Sequence, residues 1–214
     1  MKKILFLILS VGTITSSSQS FVSTSPENKN IILEEFTGIH CTWCPAGHLI
    51  GQQLHDNNPN DVFLINIHTG GVATPSAGEP DFRVDPMGSN IAGQSNLSGY
   101  PAGTVNRHQF SMSQNGGTAM SRSDWSSAST QLLSQSSPVN VGLQANIDMS
   151  TNTLTVDVEV YYTGSQNSIS SNRLTIAVVQ NNVEGPQTGA SNNPGAILAN
   201  GQYNHNHMLR HMMT

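Results

Sequence analysis

A strand, a helix and a second strand follow one another near the N-terminus of the chain, and this succession restricts the possible folds more than any other part of the sequence. Asn30–Phe36 and Asp61–His68 are nearly continuous in apolar residues, as buried parallel strands are. Pro45–Asn57 lies between them and is predicted as a helix with proline in its first turn. Such a succession forms a βαβ unit with a right-handed crossover. We therefore expect an α/β domain built around a pair of parallel strands.

Both cysteines of the chain lie at the junction between the first strand and the helix. Cys41 comes just before the helix, where free backbone N–H groups and the positive end of the helix dipole stabilise a thiolate, the nucleophile of disulfide exchange. Cys44 begins the helix and is placed to resolve a mixed disulfide formed at Cys41. Trp43 between them offers a flat apolar surface to a substrate peptide. The pattern predicts a redox site.

Three other roles for the cysteines stay open. A structural disulfide that closes so short a loop stabilises by about 2 kcal/mol in the loop-entropy model, against about 3 kcal/mol for a 15-residue loop, so distant segments would be better partners. His40, His48 or His68 could complete a zinc site, but structural zinc usually takes four ligands from paired motifs, and the chain has no second cysteine pair. Two free thiols do not suit an oxidising compartment. We therefore expect a redox pair and no metal.

Further histidines lie beside the cysteines and near the C-terminus. His40 and His48 flank the CxxC motif, where an imidazolium would lower the pKa of the first thiol, although solvent-facing histidines are commoner in loops and on helices. His205, His207 and His211 would share one face of a strand, which makes metal binding geometrically possible. No Asp, Glu or Cys joins them, so a solvated or packed face is expected.

Two more features match a redox site. Glu35 lies at the end of the first strand, and a carboxylate buried beneath a CxxC motif can move the proton as the second thiol attacks. A solvated position beside Glu34 is an equal alternative. Tyr100 and Pro101 come directly before a predicted strand, Ala102–Arg107. Because only about 5–6% of X–Pro bonds are cis, trans is the default here, whereas a cis bond would present the backbone of residue 100 to a substrate strand.

The hydrophobic pattern changes to a period of two after residue 137. Four predicted strands follow: Val139–Ile147, Leu154–Tyr162, Leu174–Gln180 and Tyr203–Met212. Clean alternation indicates an antiparallel sheet with one face on a core, but a complete immunoglobulin-type sandwich has roughly seven strands. We therefore expect an α/β domain over residues 30–137 and an incomplete antiparallel β-sandwich-type module over 138–214. Either that module docks on the first domain or the chain is a C-terminally truncated fragment, which we favour.

The first 20 residues predict export. Lys2 and Lys3 precede a short apolar stretch, Ile4–Ile14, and small polar residues allow cleavage after Ser20. Residues 1–20 are therefore interpreted as a secretory signal peptide. No later segment reaches the roughly 20 apolar residues of a membrane-spanning helix. A net charge of −5 without runs of Lys or Arg argues against nucleic acid as a partner.

Taken in order, Glu35, Phe36, the CxxC motif at a helix start and Tyr100-Pro101 resemble the thioredoxin fold over residues 30–137. The resemblance implies attack by the first cysteine, resolution by the second, proton transfer by the glutamate, and no dissociable cofactor. Thr42-Trp43 stands where thioredoxins have Gly-Pro, and Thr69–Pro86 is an insertion. The redox potential and the substrate therefore do not follow from the resemblance.

A second resemblance is more specific and spans both halves of the chain. Four segments are similar to the family related to the 28-kDa outer-membrane protein of Gram-negative anaerobes: Glu34-Glu35-Phe36-Thr37-Gly38, Cys41-x-x-Cys44-Pro45-Ala46-Gly47-His48, Tyr100-Pro101-Ala102-Gly103-Thr104-Val105-Asn106-Arg107 and Tyr203-Asn204-His205-Asn206-His207-x-Leu209-Arg210. This resemblance implies a thioredoxin-like domain followed by a β-sandwich, exposed at the outer membrane or beyond. Some members of the family have been viewed as surface adhesins.

Two functions follow as expectations. The first is an exported thiol–disulfide oxidoreductase, or redox-active surface protein, at the outer membrane, on the cell surface or in the periplasm of a Gram-negative bacterium. Its substrates would be protein thiols or disulfides. The alternative is a non-enzymatic surface or adhesion protein that uses the thioredoxin fold as a scaffold. It would bind a host or cell-surface ligand through the β-module or the Thr69–Pro86 loop.

Overall fold

The computed structural model describes residues 21–164 and 172–213, so the signal peptide predicted for residues 1–20 lies outside the described residues. The described chain forms two compact units. Residues 21–26 and 138–164 make up the smaller unit, and residues 27–137 and 172–213 make up the larger one. None of the helices in these residues is long and apolar enough to cross a membrane.

The strands and helices run in the following order: β1 Ile31–Thr37, α1 Cys44–Asn57, β2 Val62–His68, α2 Met87–Ser95, β3 Ala102–Val105, β4 Met120–Ser121, α3 Trp125–Leu133, β5 Val139–Asp148, β6 Thr153–Tyr162, β7 Ile176–Gln180, β8 Val183–Gly185, β9 Tyr203–His205 and β10 Met208–Met213. The βαβ unit predicted from the sequence corresponds to β1, α1 and β2. The helix begins at Cys44 with proline in its first turn, where the missing proline N–H costs no hydrogen bond.

A six-stranded mixed sheet forms the centre of the larger unit, in the order β4-β3-β1-β2-β10-β7. Strands β1 and β2 run parallel, β3 is antiparallel to β1, and β4 is antiparallel to β3. On the other side, β10 runs parallel to β2 and antiparallel to β7. Asn66 joins β10 to β2, because its backbone N–H donates to the carbonyl of His207 and its side chain to that of Asn206.

Helices cover both faces of this sheet. The alternation along β1 directs Ile31 and Leu33 to one face, where they pack with Leu54 of α1 and Trp125 of α3. Phe36 points to the opposite face and packs in a second cluster with residues of α2. Glu35 is two residues after Leu33, so its side chain lies on the same face of β1 as those of Ile31 and Leu33. This is the face covered by α1, the helix that begins at the cysteines.

The β-sandwich expected for residues 138–214 is not confirmed. Strands β5 and β6 pair as an antiparallel hairpin from Val139 opposite Tyr162 to Asp148 opposite Thr153. The alternating apolar side chains of this hairpin were expected to face a core, but several are exposed: Val141, Leu143, Ile147 and Leu154. Strands β8 and β9 form a second small sheet, and β7 and β10 belong to the central sheet. The described architecture is therefore a mixed α/β fold with a central mixed sheet and two small sheets.

Candidate functional site

Cys41 and Cys44 form a disulfide at the N-terminus of α1, with a Cα–Cα distance of 5.4 Å. Cys44 is fully buried, Cys41 is 5% exposed and Trp43 between them is 55% exposed. No side chain caps the helix, so the N–H groups of its first turn and the positive end of its dipole remain beside the sulfurs. This environment stabilises a thiolate released at the site.

Glu35 is buried on the face of the sheet that α1 covers, with only 1% of its surface exposed. The carboxyl approaches the helix so closely that a Cβ at Gly47 would meet its Oε1, so the absence of a side chain at Gly47 makes room for it. Burial raises the pKa of Glu35 well above its ordinary value, although the charge of Arg122 acts in the opposite direction. Glu35 can therefore keep its proton at pH values where an exposed glutamate is ionised.

Glu34 has a different environment from Glu35. Its side chain is also buried, but it accepts two hydrogen bonds from the guanidinium of Arg107, one of them 2.7 Å long. The neighbouring glutamates thus point to opposite faces of β1. Glu34 is held in an ion pair, while Oε1 of Glu35 has no hydrogen-bond partner in residues 21–164 and 172–213.

His48 is mostly buried, with 9% of its side chain exposed, and the expectation that it faces solvent is wrong. It lies one helical turn after Cys44, on the face of α1 that packs against the sheet. Its Nε2 is 2.9 Å from Oγ1 of Thr37 and 3.7 Å from Oε1 of Glu35, and its Nδ1 is 2.9 Å from the hydroxyl of Tyr203. Burial lowers the pKa of His48 to about 3, with a smaller contribution from the neighbouring His205 and His207. It is therefore neutral at neutral pH, and it supplies no imidazolium to the thiols.

Tyr100, Pro101 and Trp43 lie around the same end of the sheet. Phe36 and Ala102 form the last residue pair between β1 and β3. Pro101, which directly precedes β3, therefore lies next to the end of β1, where the loop that carries the cysteines begins. The Tyr100–Pro101 peptide bond is cis, so the default expectation of a trans bond is wrong here. The side chain of Tyr100 is half-buried, and the guanidinium of Arg122 lies 5.6 Å from the ring centre of Trp43.

A segment far along the chain, Gln187–Asn192, lies against the loop that carries Cys41; we call it the cover segment. The amide of Gln187 donates to the carbonyls of Gly38 and Cys41 at 3.2 and 3.1 Å. The backbone N–H of Thr188 donates to Ile39 at 2.7 Å, and the amide of Asn192 donates to Thr42 at 2.9 Å.

The cover segment was not found from the sequence, because its residues are polar and follow no period. Its one local signal is Gly189. This residue has a φ of +70° and lies so close to the carbonyl of Thr42 that a Cβ would meet it.

The histidines near the C-terminus do not form the single-strand face that we expected. A residue with positive φ, His207, separates β9 from β10, so His205 and His211 lie on different strands. His205 is buried and its ring packs against that of His68 at a centroid distance of 5.4 Å, whereas His211 is exposed. Within the described ranges, no group of three or more His, Cys, Asp or Glu side chains could hold a metal ion.

A cavity of about 430 Å³ lies beside Glu35 and His48. Most of the other side chains that line it are polar, among them Gln52, Asn66, Asn193, Tyr203 and His207. The cavity therefore brings hydrogen-bonding groups and space for water close to a carboxyl whose residue is itself only 1% exposed. The sequence pattern gave no sign of this cavity, because β9 and the loops that close it are distant along the chain from α1.

The family model described as Outer membrane protein Omp28 matches residues 89–214. Among solved structures, HBP35 of Porphyromonas gingivalis is similar with a TM-score of 0.62 and 19% identity over 88% of this chain, and the chain spans only 57% of HBP35. An X-ray crystal structure of a protein from Agrobacterium tumefaciens has a TM-score of 0.51 and 10% identity, covering 88% of this chain and 73% of that one. No curated protein matches the chain. The two structural similarities concern the fold.

Proposed function

Because the chain belongs to the Omp28 family of outer membrane proteins, we propose that it is an exported surface protein whose Cys41–Cys44 pair exchanges disulfides with protein thiols. The family and the neighbour from a Gram-negative anaerobe support an outer-membrane or surface location. The finer assignment to thiol–disulfide exchange rests on the site.

The observation that carries the proposal is a disulfide at a helix N-terminus on the sheet face where a protonatable carboxyl is buried. In the exchange step, a substrate thiolate attacks Sγ of Cys41 and forms a mixed disulfide. The Cys41–Cys44 bond breaks, and its electron pair leaves on Sγ of Cys44. The raised pKa of Glu35 keeps a proton available for that thiolate. A second substrate thiolate then attacks the mixed disulfide and releases Cys41, so the substrate is oxidised and the protein is reduced.

The topology supports a thioredoxin-like assignment for this part of the chain. The first four strands lie in the order β4-β3-β1-β2, the cysteines begin α1, and Pro101 directly precedes β3. Trp43, Tyr100 and Pro101 would contact the substrate chain in this arrangement. The boundaries proposed from the sequence, residues 30–137, remain part of the same proposal.

A glutathione redox titration tests the function. The purified mature chain is equilibrated at a series of glutathione potentials, free thiols are alkylated, and the intact mass counts them. We expect a midpoint between about −120 and −270 mV, the range of exchange catalysts, whereas a midpoint below about −300 mV would mark an inert structural bond.

A second candidate function is a non-enzymatic surface or adhesion protein. Two observations favour it: Cys41 is only 5% exposed, and the β5–β6 hairpin exposes several large apolar side chains. In that case the disulfide remains oxidised and the hairpin or the 69–86 loop binds a host or cell-surface ligand. An inert midpoint would support this function over the first.

A further inference from the structure

We propose that His48 and Tyr203 form a proton relay that reloads Glu35 from the neighbouring cavity during disulfide exchange. The inference rests on the proposed function and adds the residues that let the buried carboxyl act repeatedly. Each released thiolate consumes one proton, and a carboxyl that is 1% exposed has little direct contact with solvent from which to replace it. A route for protons is therefore required.

The hydrogen bonds around His48 determine which ring nitrogen carries its proton. The amide of Asn193 donates to the oxygen of Tyr203 at 3.0 Å, so the Tyr203 hydroxyl is left to donate to Nδ1 of His48 at 2.9 Å. With Nδ1 as an acceptor, the neutral ring carries its proton on Nε2. That N–H faces Oγ1 of Thr37 and Oε1 of Glu35.

The gap between His48 and Glu35 is short enough to close. Oε1 of Glu35 is buried without a hydrogen-bond partner in the part of the chain that the structure describes, and Nε2 of His48 lies 3.7 Å from it. A rotation of the ring that shortens this distance by about 1 Å brings the two atoms into hydrogen-bond range. Catalytic hydrogen bonds are often this long before substrate binds.

Protons balance along the relay. After Glu35 gives its proton to the Cys44 thiolate, Nε2–H of His48 returns one to the carboxylate. Nδ1 takes the hydroxyl proton of Tyr203, and the phenolate oxygen takes a proton from water in the cavity that both side chains line. The net transfer is one proton from cavity water to the Cys44 sulfur, and the hydroxide left behind is neutralised by the proton that the substrate thiol released when it formed the attacking thiolate. The substrate thiol also supplies the electrons. His48 is left with its proton on Nδ1 and returns to the Nε2–H form by proton exchange with cavity water before the next turnover.

The groups around the relay favour proton transfer through a neutral His48 ring that changes from one tautomer to the other. Burial lowers the pKa of His48, and a positive charge on the neighbouring His205 or His207 would lower it further. Burial raises the pKa of Tyr203, and Glu35 interacts with the charge of Arg122 as well as with His48. An imidazolium is therefore disfavoured at His48. A concerted transfer that enters at one ring nitrogen and leaves at the other avoids that ion.

The test uses Tyr203→Phe, which removes only the hydroxyl, and His48→Ala, which leaves space for free imidazole. Tyr161→Phe on the exposed face of the hairpin is the matched control. Reduction of the disulfide by glutathione is followed by acid quench, alkylation and mass from pH 5 to 9, with and without imidazole. We expect reduction to slow about tenfold in Tyr203→Phe and further in His48→Ala, because acid–base catalysis contributes about 10²–10⁴-fold in total. We expect imidazole to restore the His48→Ala rate and the equilibrium midpoint to stay unchanged.

The outcomes separate the relay from the function. If the wild-type chain exchanges disulfides while Tyr203→Phe matches Tyr161→Phe in rate and pH profile, and imidazole does not accelerate His48→Ala, the relay is overturned and the function stands. A wild-type chain with an inert disulfide overturns both, because no thiolate is then released. Urea melts of each variant identify a variant that fails to fold, and Tyr203→Phe then decides alone, since it removes a single oxygen.

Discussion

Removal of the Gln187 amide should make the Cys41–Cys44 disulfide easier to reduce. Cys41 is 5% exposed, and the cover segment lies against the loop that carries it. An attacking thiolate must reach Sγ of Cys41, so we expect reduction by a bulky thiol to be faster when this segment is free to move away from the loop. The amide of Gln187 makes two of the hydrogen bonds that hold it closed, at 3.2 and 3.1 Å. Gln187→Ala removes both and leaves the backbone bond from Thr188 to Ile39 intact.

The expected size follows from these bonds. A hydrogen bond contributes about 0.5–1.5 kcal/mol net. Part of the loss from the two bonds is offset, because Oε1 of Gln187 is buried without a partner among the described residues. A net change of about 1.4 kcal/mol multiplies the open population by ten. Reduction by glutathione should therefore accelerate about tenfold.

The assay is the initial rate of glutathione reduction, measured by acid quench, alkylation and intact mass. Asn200→Ala is the matched control, because Asn200 is an exposed amide that bonds Glu184 in the same stretch of chain, away from the cysteines. Equal rates for Gln187→Ala, Asn200→Ala and the wild type would refute the gating role of the cover segment. Acceleration with glutathione but not with a much smaller thiol would strengthen it.

Three further predictions concern stability and are measured by urea unfolding. Gly47→Ala should destabilise by about 1–3 kcal/mol, since its Cβ would meet Glu35, while Gly51→Ala in the same helix finds ordinary contact distances and should not. Because the pKa of Glu35 is raised, the contribution of its protonated carboxyl to the free energy of unfolding is complete below the ordinary pKa of 4.5 and is progressively lost at higher pH. Glu35→Gln should therefore gain stability relative to the wild type between pH 4 and pH 8, by at most about 1.4 kcal/mol per pH unit. Equal differences in stability at the two pH values would contradict this. Arg107→Ala should cost about 1–3 kcal/mol because Glu34 stays buried without its partner, and an unchanged midpoint would show that Glu34 is rehydrated.

Local signals explain what the sequence predicted about the fold. Each of the first two strands is marked by its own apolar run, and α1 is marked by the proline at its start. The observed β1, Ile31–Thr37, lies within one residue of its predicted bounds. The pairing of β10 with β2 had no such signal, because a strand's period identifies its faces but not its neighbour. The residue of positive φ that separates β9 from β10, His207, was equally hidden, since histidine does not mark a break.

The site divides in the same way. The cysteines and Glu35 were found because their chemistry belongs to one short motif. His48 was misplaced, although a signal was present: Gly47 and Gly51 mark a face of α1 that approaches the sheet closely, and His48 adjoins that face. Tyr203 is 155 residues away from His48 along the chain, and no pattern in the sequence links the two.

Both routes to the proposed redox centre, for thiols and for protons, involve residues that follow the hairpin along the chain. The cover segment is hydrogen-bonded to the loop that carries Cys41, where electrons would enter, and Tyr203 borders the cavity from which protons would reach Glu35. The residues between Glu27 and Ser137 supply the disulfide and the carboxyl, but they contain neither of these controls. Access for substrate thiols and supply of protons are therefore separate properties in this chain. Gln187→Ala should change the first without the second, and Tyr203→Phe should change the second without the first.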